Sequence, residues 1–521
     1  MKRIVTGMEM KELDQNTIRQ HGIPSAVLME RASLAVAEEI RKRFSPGSRI
    51  LAVCGSGNNG GDGIASARIL HMWGYRVLIF LAGRIEKMTD ETGAQYRTAM
   101  SYGIPVLSGE DLPEGPFDVV IDALFGVGLA REIEGNYREL ISRLNTMEGY
   151  KVSVDIPSGI HADHGQVMGT AFKADLTVTF AYRKRGHCLY PGRQLSGEVI
   201  VADIGIYEKR NAGVSPDGAV VPQNAEAPGC CMHFQQDDLS LLSGRNEDGN
   251  KGTFGKILVA AGSPGMCGAA YMSSRAALLS GIGMVRILTA EENRIPLQTM
   301  FPEAMLTCSH EEAELERVFS WCDTVVLGPG LGTSTDSENV CLWLLRNARE
   351  SKKPLVIDAD GLNLLAAHPE WNDYLDTNVI LTPHVGEMSR LCGLPAGELK
   401  ADLPAAAFNY AKSHGCTVVL KDACTVISAP DGRLWLNLSG NSGMATAGSG
   451  DVLSGLIGGL VCLGQMKAVC RGAKSCNANL PLLAAGAVYL HGLCGDRAAA
   501  EHGKSSMTAV SLLAEIGYFL E

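Results

Sequence analysis

The stretch Ser439–Gly459, S-G-N-S-G-M-A-T-A-G-S-G-D-V-L-S-G-L-I-G-G, decides the fold of the C-terminal half of this chain. Seven glycines and one acid, Asp451, fall in a run that turns midway from loop-like to helical. The small apolar tail Asp451–Leu460 predicts a tightly packed helix with Gly448-Ser449-Gly450 at its N-terminus. Bare backbone N–H groups there, with the helix dipole behind them, make an anion site. An aspartate at the mouth of such a site repels phosphate. It fits a general base that takes a proton from a hydroxyl attacking a phosphoryl group held by those donors. For a lone G-x-G-D, an acidic N-cap beside glycines needed for close packing explains as much. The glycine-rich residues ahead of Asp451, and its partners upstream, favour the base.

Those partners belong to an α/β series that starts with the strand Lys256–Ala261, then G-S-P-G-M-C-G-A-A and a core helix through Leu279. Asp323–Leu327 leads into G-P-G-L-G332, Pro354–Ile357 into D-A-D-G-L-N363, and Val379–Thr382 into P-H-V-G-E-M-S-R390. Thr417–Leu420 ends at Lys421-Asp-Ala-Cys-Thr425. Each strand delivers a polar or glycine cluster at its C-terminal end, where open α/β sheets bind ligands. Asp358 and Asp360 read as helix caps. His384 alone reads as a satisfied loop histidine, and following Thr-Pro at a strand end it reads as a ligand contact. Gly464–Pro481 reads as a surface loop.

The N-terminal half has the same grammar. Residues 8–44 predict helix interrupted near Gly22-Ile23-Pro24, then the buried strand Arg49–Cys54. G55-S-G-N-N-G-G-D-G63 predicts a glycine-rich turn before a helix from Ile64 to Trp73. Strand, glycine turn, helix is the nucleotide-binding arrangement of a doubly wound sheet, and the two asparagines add amide groups that a purely steric turn does not need. Later strands deliver Asp122 before A-L-F-G-V-G-L-A-R-E and Asp155 before I-P-S-G. Asn58, Asn59, Asp62, Asp122, Asp155 and Ser158 therefore converge on one crevice. Asn59, Asp122 and Ser158 are hard oxygen donors able to share a cation. Between the halves, residues 210–236 read as a linker rich in Gly, Pro and Asn.

At 521 residues the chain is too long for one core, and two or more domains are expected. A net charge of −11, with no basic run longer than Arg183-Lys184-Arg185, argues against a nucleic-acid surface. Fifteen cysteines, odd in number and without C-x-x-C, read as reduced thiols of a cytoplasmic protein. No signal-like or membrane-spanning run is expected. The apolar content permits a homo-oligomer without specifying one.

G-I-P-S-x-x-L-M-E (Gly22–Glu30), N-N-G-G-D-G, D-A-L-F-G-x-G and D-I-P-S-G together resemble the YjeF N-terminal domain, the NAD(P)H-hydrate epimerase, over residues 1–209. G-P-G-L-G, D-A-D-x-L-N, T-P-H-x-G-E and G-D-V-L-S-G resemble the YjeF C-terminal domain, the ribokinase-like NAD(P)H-hydrate dehydratase, over residues 237–521. The expected architecture is thus α/β with two domains, a Rossmann-like doubly wound sheet followed by a ribokinase-like α/β/α domain.

The first resemblance implies that Asn58, Asn59, Gly60, Gly61, Asp62, Gly126, Val127, Gly128, Leu129, Ala130, Arg131 and Glu132 touch the damaged dinucleotide. It also implies K⁺ held by Asn59, Asp122 and Ser158, with Asp155 against the ring, where it is the candidate catalytic acid/base group at C6. The second implies that Gly332, His384, Val385, Gly386, Glu387, Met388, Ser389, Arg390 and Asp451 contact the hydrated nicotinamide nucleotide. Lys421, Asp422, Ala423, Cys424 and Thr425, with Asn441, Ser442, Gly443, Met444, Ala445, Thr446, Ala447, Gly448, Ser449 and Gly450, would hold ADP or ATP with Mg²⁺. Ala447 and Ser449 stand where glycine and threonine are expected. The chemistry implied is epimerisation of R and S hydrates and phosphorylation-driven dehydration of the S form. A ribokinase-type vitamin or sugar kinase, and an N-terminal domain that only binds, are the rival expectations.

Overall fold

The computed structural model describes all residues except 110, 208–211, 215–219, 223–228, 243–244, 246, 471–478 and 521. It divides into two units, Arg3–Asn211 and Ala212–Glu521, the latter taking in Met1 and Lys2.

In the first unit seven strands form one parallel sheet: β1 (Arg49–Cys54), β2 (Arg76–Leu81), β3 (Val106–Ser108), β4 (Val119–Ala123), β5 (Tyr150–Val154), β6 (Leu176–Phe180) and β7 (Glu198–Ala202). Their spatial order is β3-β2-β1-β4-β5-β6-β7. The order reverses between β1 and β4, and the crevice of a doubly wound sheet opens at the C-terminal ends of those strands. Near-continuous apolar runs such as I-L-A-V-C in β1 are buried, as a sheet covered on both faces requires.

Two helices lead in, α1 (Gly7–Arg19) and α2 (Ser25–Arg41), separated where Gly22 takes a positive φ. The next helix departs from expectation. The run N-N-G-G-D-G is not a turn but the first turn and a half of α3 (Asn58–Met72). Its glycines serve close packing: a Cβ on Gly60 would lie 1.9 Å from the Gly55 carbonyl oxygen, and one on Gly63 2.4 Å from the Ala123 Cβ. Asp122 likewise sits inside β4 rather than beyond its end.

The second unit holds β8 (Cys231–His233), β9 (Lys256–Ala260), β10 (Met284–Leu288), β11 (Met305–Thr307), β12 (Thr324–Leu327), β13 (Leu355–Ile357), β14 (Val379–Leu381), β15 (Thr417–Leu420), β16 (Val426–Ser428) and β17 (Leu434–Leu436). They run in the order β11-β10-β9-β12-β13-β14-β15-β16-β17-β8. The first seven positions are parallel, β15-β16-β17 is an antiparallel meander, and β8 adds in parallel.

Two sequence expectations need correcting here. The strand β8 lies within the expected linker 210–236, as does an antiparallel pair, Ala212–Val214 with Val220–Pro222. Three-residue strands carry too little periodicity to be seen beside Gly and Pro. The expected loop 464–481 is helical at its start, because α7 (Ser449–Cys470) continues through it with Gln465 buried. Residues 471–478 of that segment lie outside the described residues.

The helices that build the site are α4 (Cys267–Leu279), α5 (Asp360–Ala367), α6 (Val385–Cys392), α7 and α8 (Leu480–His502). By length and composition α7 could cross a membrane over Ser449–Lys467, which sequence reading did not register. Here it is a core helix, seated on α4 through glycines. A Cβ on Gly455 would lie 1.9 Å from the Ser273 carbonyl oxygen. Backbone cannot yield as a side-chain tip can. Gly455→Ala is therefore expected to destabilise the unit by about 1–3 kcal/mol. The corresponding fall in melting temperature, roughly 2–4 °C per kcal/mol, is read by thermal unfolding, and an unchanged midpoint would show that the helices can part.

Candidate functional sites

The crevice of the first unit holds a cavity of about 990 Å³, lined by Asn58, Asn59, Asp62, Gly126, Val127, Gly128, Leu129, Ala130, Arg131 and Asp155 among the residues expected from sequence. Gly60 and Gly61 are buried in the packing of α3 and do not line it, and Glu132 is exposed beyond it. Behind the lining, Asp122 and Ser158 are fully buried. Asp122 accepts from the Ser158 hydroxyl at 2.6 Å, the Ser158 N–H at 2.8 Å and the Ser153 hydroxyl at 3.1 Å. Burial still outweighs these donors and pushes its pKa up to about 6. The Asn59 amide nitrogen is buried without a partner among the described residues. Carboxylate, hydroxyl and amide oxygen suit a monovalent cation, whose charge would offset the cost of burying Asp122.

Asp155 takes a positive φ of 65°, rare for a residue with a side chain, immediately after β5. Its carboxylate pairs with the ammonium of Lys184, a lysine with no exposed surface. Thr179 Oγ1 donates to the same carboxylate oxygen at 2.9 Å and accepts from Lys184 Nζ at 2.8 Å. Burial opposes ionisation of Asp155, but Lys184 prevails and holds its carboxyl below the usual range. Lys184 is placed by a short parallel pairing in which Ile4 and Val5 face Arg183 and Lys184. Sequence reading missed it as a site residue, because in the run Arg183-Lys184-Arg185 nothing distinguishes a buried lysine from its solvated neighbours.

In the second unit the expected residues gather at the N-terminus of α7. Gly448 has a φ of +89°, and α7 begins at Ser449, so Asp451 sits in the first turn and is not the N-cap. Its carboxyl has no hydrogen-bond partner among the described residues. Burial, with the Asp358 carboxylate nearby, raises its pKa to about 6 despite the opposing Lys421.

Lys421 leaves the end of β15, where its N–H donates to the Pro383 carbonyl at 2.8 Å. Its ammonium pairs with buried Asp358 at 2.7 Å and lies 3.5 Å from where a Gly450 Cβ would be. Burial disfavours that ammonium, and the surrounding carboxylates Asp358, Glu387 and Asp451 outweigh it and raise its pKa. Asp358 was read as a cap and is instead the counter-charge that aims Lys421. A strand-end D-A-D was the available signal.

His384 caps α6: its Nδ1 accepts from the Gly386 N–H at 2.9 Å, while Glu387 accepts from the His384 N–H at 2.7 Å. The other ring nitrogen, Nε2, lies 3.6 Å from Glu387 Oε1 on a half-exposed side chain. Arg390 donates to Asn363 at 2.9 Å, and the Gly332 N–H donates to Asp360 at 2.8 Å, so three strand ends share one polar network. Asn437 links the two loops expected to hold nucleotide, through the Thr425 carbonyl at 2.9 Å and the Ser439 hydroxyl at 2.8 Å. Asn441 caps the turn Ser442–Met444 and donates to Asp496 at 3.0 Å. Cys424 is buried and points its thiol at the Asn437 carbonyl, so it supports the loop from behind.

A family model described as NAD(P)H-hydrate dehydratase matches residues 257–517, and one described as YjeF-related protein N-terminus matches 25–186. A bifunctional NAD(P)H-hydrate repair enzyme from Thermofilum pendens is 38% identical, over 97% of this chain and 94% of its own length. The chain belongs to the bifunctional NAD(P)H-hydrate repair enzyme family. A member from Escherichia coli is 34% identical over 95% of this chain and 89% of its own. A solved ADP/ATP-dependent NAD(P)H-hydrate dehydratase from Bacillus subtilis, co-crystallised with ATP/Mg²⁺, is 28% identical and covers 55% of this chain and 96% of its own, with a TM-score of 0.46. Membership in this repair family joins an epimerase half to a dehydratase half, and the two sites fall one in each unit.

Proposed function

We propose that the unit Arg3–Asn211 interconverts the R and S hydrates of NADH and NADPH, and that Ala212–Glu521 dehydrates the S form at the expense of ADP or ATP. The observation that carries the second assignment is Asp451: an unpartnered carboxylate in the first turn of α7, beside an ammonium and a row of helix N-terminal N–H groups.

Hydroxide leaves a ring carbon poorly and phosphate leaves well. Asp451 takes the proton of the hydrate's hydroxyl as its oxygen attacks the terminal phosphoryl group of the nucleotide. Lys421 and the N–H groups of Gly448–Gly450 face the charge that gathers on the phosphoryl oxygens. AMP or ADP departs, the carbon–oxygen bond then breaks with loss of the neighbouring ring proton, and inorganic phosphate and the dihydropyridine result. Mg²⁺ arriving with the nucleotide would neutralise its phosphates. The loops 421–425 and 441–450 hold that nucleotide, and Gly332 with 384–390 hold the hydrate. In the other unit Asn59, Asp122 and Ser158 would hold K⁺, which stiffens the loop carrying Gly126.

Mixed R/S NADH hydrate supplied with ADP or ATP tests the assignment through return of the reduced-nicotinamide absorbance. Recovery of the S fraction alone would remove the epimerase. No recovery with either nucleotide would leave a small-molecule kinase. The raised pKa of Asp451 sets a further expectation. The base works only when ionised, so dehydration is expected to fall about tenfold per pH unit below pH 6 and to level off above it. A rate unchanged between pH 7 and pH 5 would remove Asp451 from the proton transfer.

A further inference from the structure

The carboxyl groups Asp14, Asp62, Glu91 and Asp155 line the cavity of the first unit, together with Lys11, Arg84, Lys87, Arg131 and Lys184. Asp62 enters it from the first turns of α3, Asp14 from α1 and Asp155 from the end of β5. Lys184 is the one buried cation of the lining, Lys11, Arg84, Lys87 and Arg131 being exposed, and its Nζ is committed to Asp155, to Thr179 Oγ1 at 2.8 Å and to the Phe180 carbonyl at 3.3 Å. His187, which feels both Lys184 and Asp155, is buried neutral, its pKa pushed down to about 3 by burial and by Lys184. Asp62 and Asp155 compete for this one buried ammonium, and like charges in a dry site repel strongly.

The protons are not shared equally. Asp155 owns the ion pair and the threonine bond. Asp62 has neither: no hydrogen bond reaches its carboxyl among the described residues, and burial together with the Asp155 and Asp14 charges raises its pKa well above the ordinary value. One cavity thus presents a neutral carboxylic acid and a carboxylate, the division of labour that acid–base catalysis needs.

We propose that Asp62 is the acid and Asp155 the base of the epimerisation, and that Lys184 is the positioning residue that decides which of the two carries the proton. The proposal rests on assigning epimerisation to this unit. The carbon to be inverted bears a hydroxyl beside the ring nitrogen. Asp62 gives its proton to that hydroxyl oxygen, the carbon–oxygen bond breaks, water leaves, and the nitrogen lone pair completes a carbon–nitrogen double bond. Water adds to the opposite face, the carbon–oxygen bond reforms, and the surplus proton goes to Asp155. Proton exchange with solvent resets the pair, and no electrons are gained or lost. For the opposite epimer the roles reverse.

The test uses the full-length protein with mixed R/S NADH hydrate, the nucleotide that supports its dehydration, and ¹⁸O-labelled water. Wild type is expected to return NADH in two phases, the S fraction and then the R fraction, with ¹⁸O entering the remaining hydrate pool by mass spectrometry. Asp62→Asn is expected to slow the second phase about 10²-fold or more while leaving the first intact. Asp62→Glu, which keeps the acid, should restore a measurable part of it. A second phase undiminished in Asp62→Asn, or epimerisation in wild type without ¹⁸O entry, overturns the proposal. So does equal loss in Asp62→Asn and Asp62→Glu, which would mark the residue as structural. A wild type with no second phase overturns the epimerase reading itself, a result distinct from each of these.

Discussion

Replacing Asp451 with asparagine is expected to lower nucleotide-dependent recovery of NADH from its S hydrate by about 10²–10⁴-fold, the span that a positioned general base contributes. The amide keeps the shape and cannot accept the hydroxyl proton. Because the Asp451 carboxyl makes no hydrogen bond among the described residues, the change breaks no such bond. It also removes a negative charge from beside Lys421, so nucleotide binding should hold or tighten while turnover collapses. The combination to look for is a large fall in kcat with KM for the nucleotide unchanged or lower, and with the R-to-S conversion intact. A loss shared equally between kcat and nucleotide KM would instead make Asp451 a binding residue.

The second large effect concerns stability. Lys184→Met is expected to destabilise the first unit by about 3–5 kcal/mol, because it strands Asp155 as an unpaired charge in a buried site. The double change Lys184→Met with Asp155→Leu removes both charges and should recover most of that loss, though not epimerisation. The sign with pH follows from the depressed pKa of Asp155. Its contribution is fully present above the ordinary carboxylate range and disappears as pH falls through the lower native value. Thermal unfolding of wild type should therefore show a larger drop in midpoint on acidification than the double variant, in which Glu9, Glu39 and Glu91 still titrate. Equal melting of wild type and Lys184→Met would mean that the pair contributes nothing net.

Much of this was legible in the chain. Strand-end clusters gave the order of elements, since a parallel sheet must deliver its loops at one edge. The motif N-N-G-G-D-G announced a site but concealed its conformation. Glycine signals a turn as readily as a helix pressed on a strand, and only the 1.9 Å approach of a Gly60 Cβ to the Gly55 carbonyl separates the two. Asp451 could be read because an acid among glycines is chemically out of place. The strand-end D-A-D marked Asp358 without its role and nothing marked Lys184, because what makes both functional is desolvation against a partner 63 and 29 residues away. Such pairings depend on tertiary contact and leave no local periodicity.

The placement of Asp451 has a bearing on how the protein fails. Its helix is part of the core of the second unit, with Val452, Leu456, Ile457 and Val461 wholly enclosed. Segments of that kind exchange their amide hydrogens only when the whole cooperative unit opens. The base is thus mounted on the last part of the structure to loosen, and its alignment does not wait on substrate to order it. Heating should leave dehydration unimpaired up to the global transition and then abolish it at once, without an interval in which the fold persists and the activity is gone.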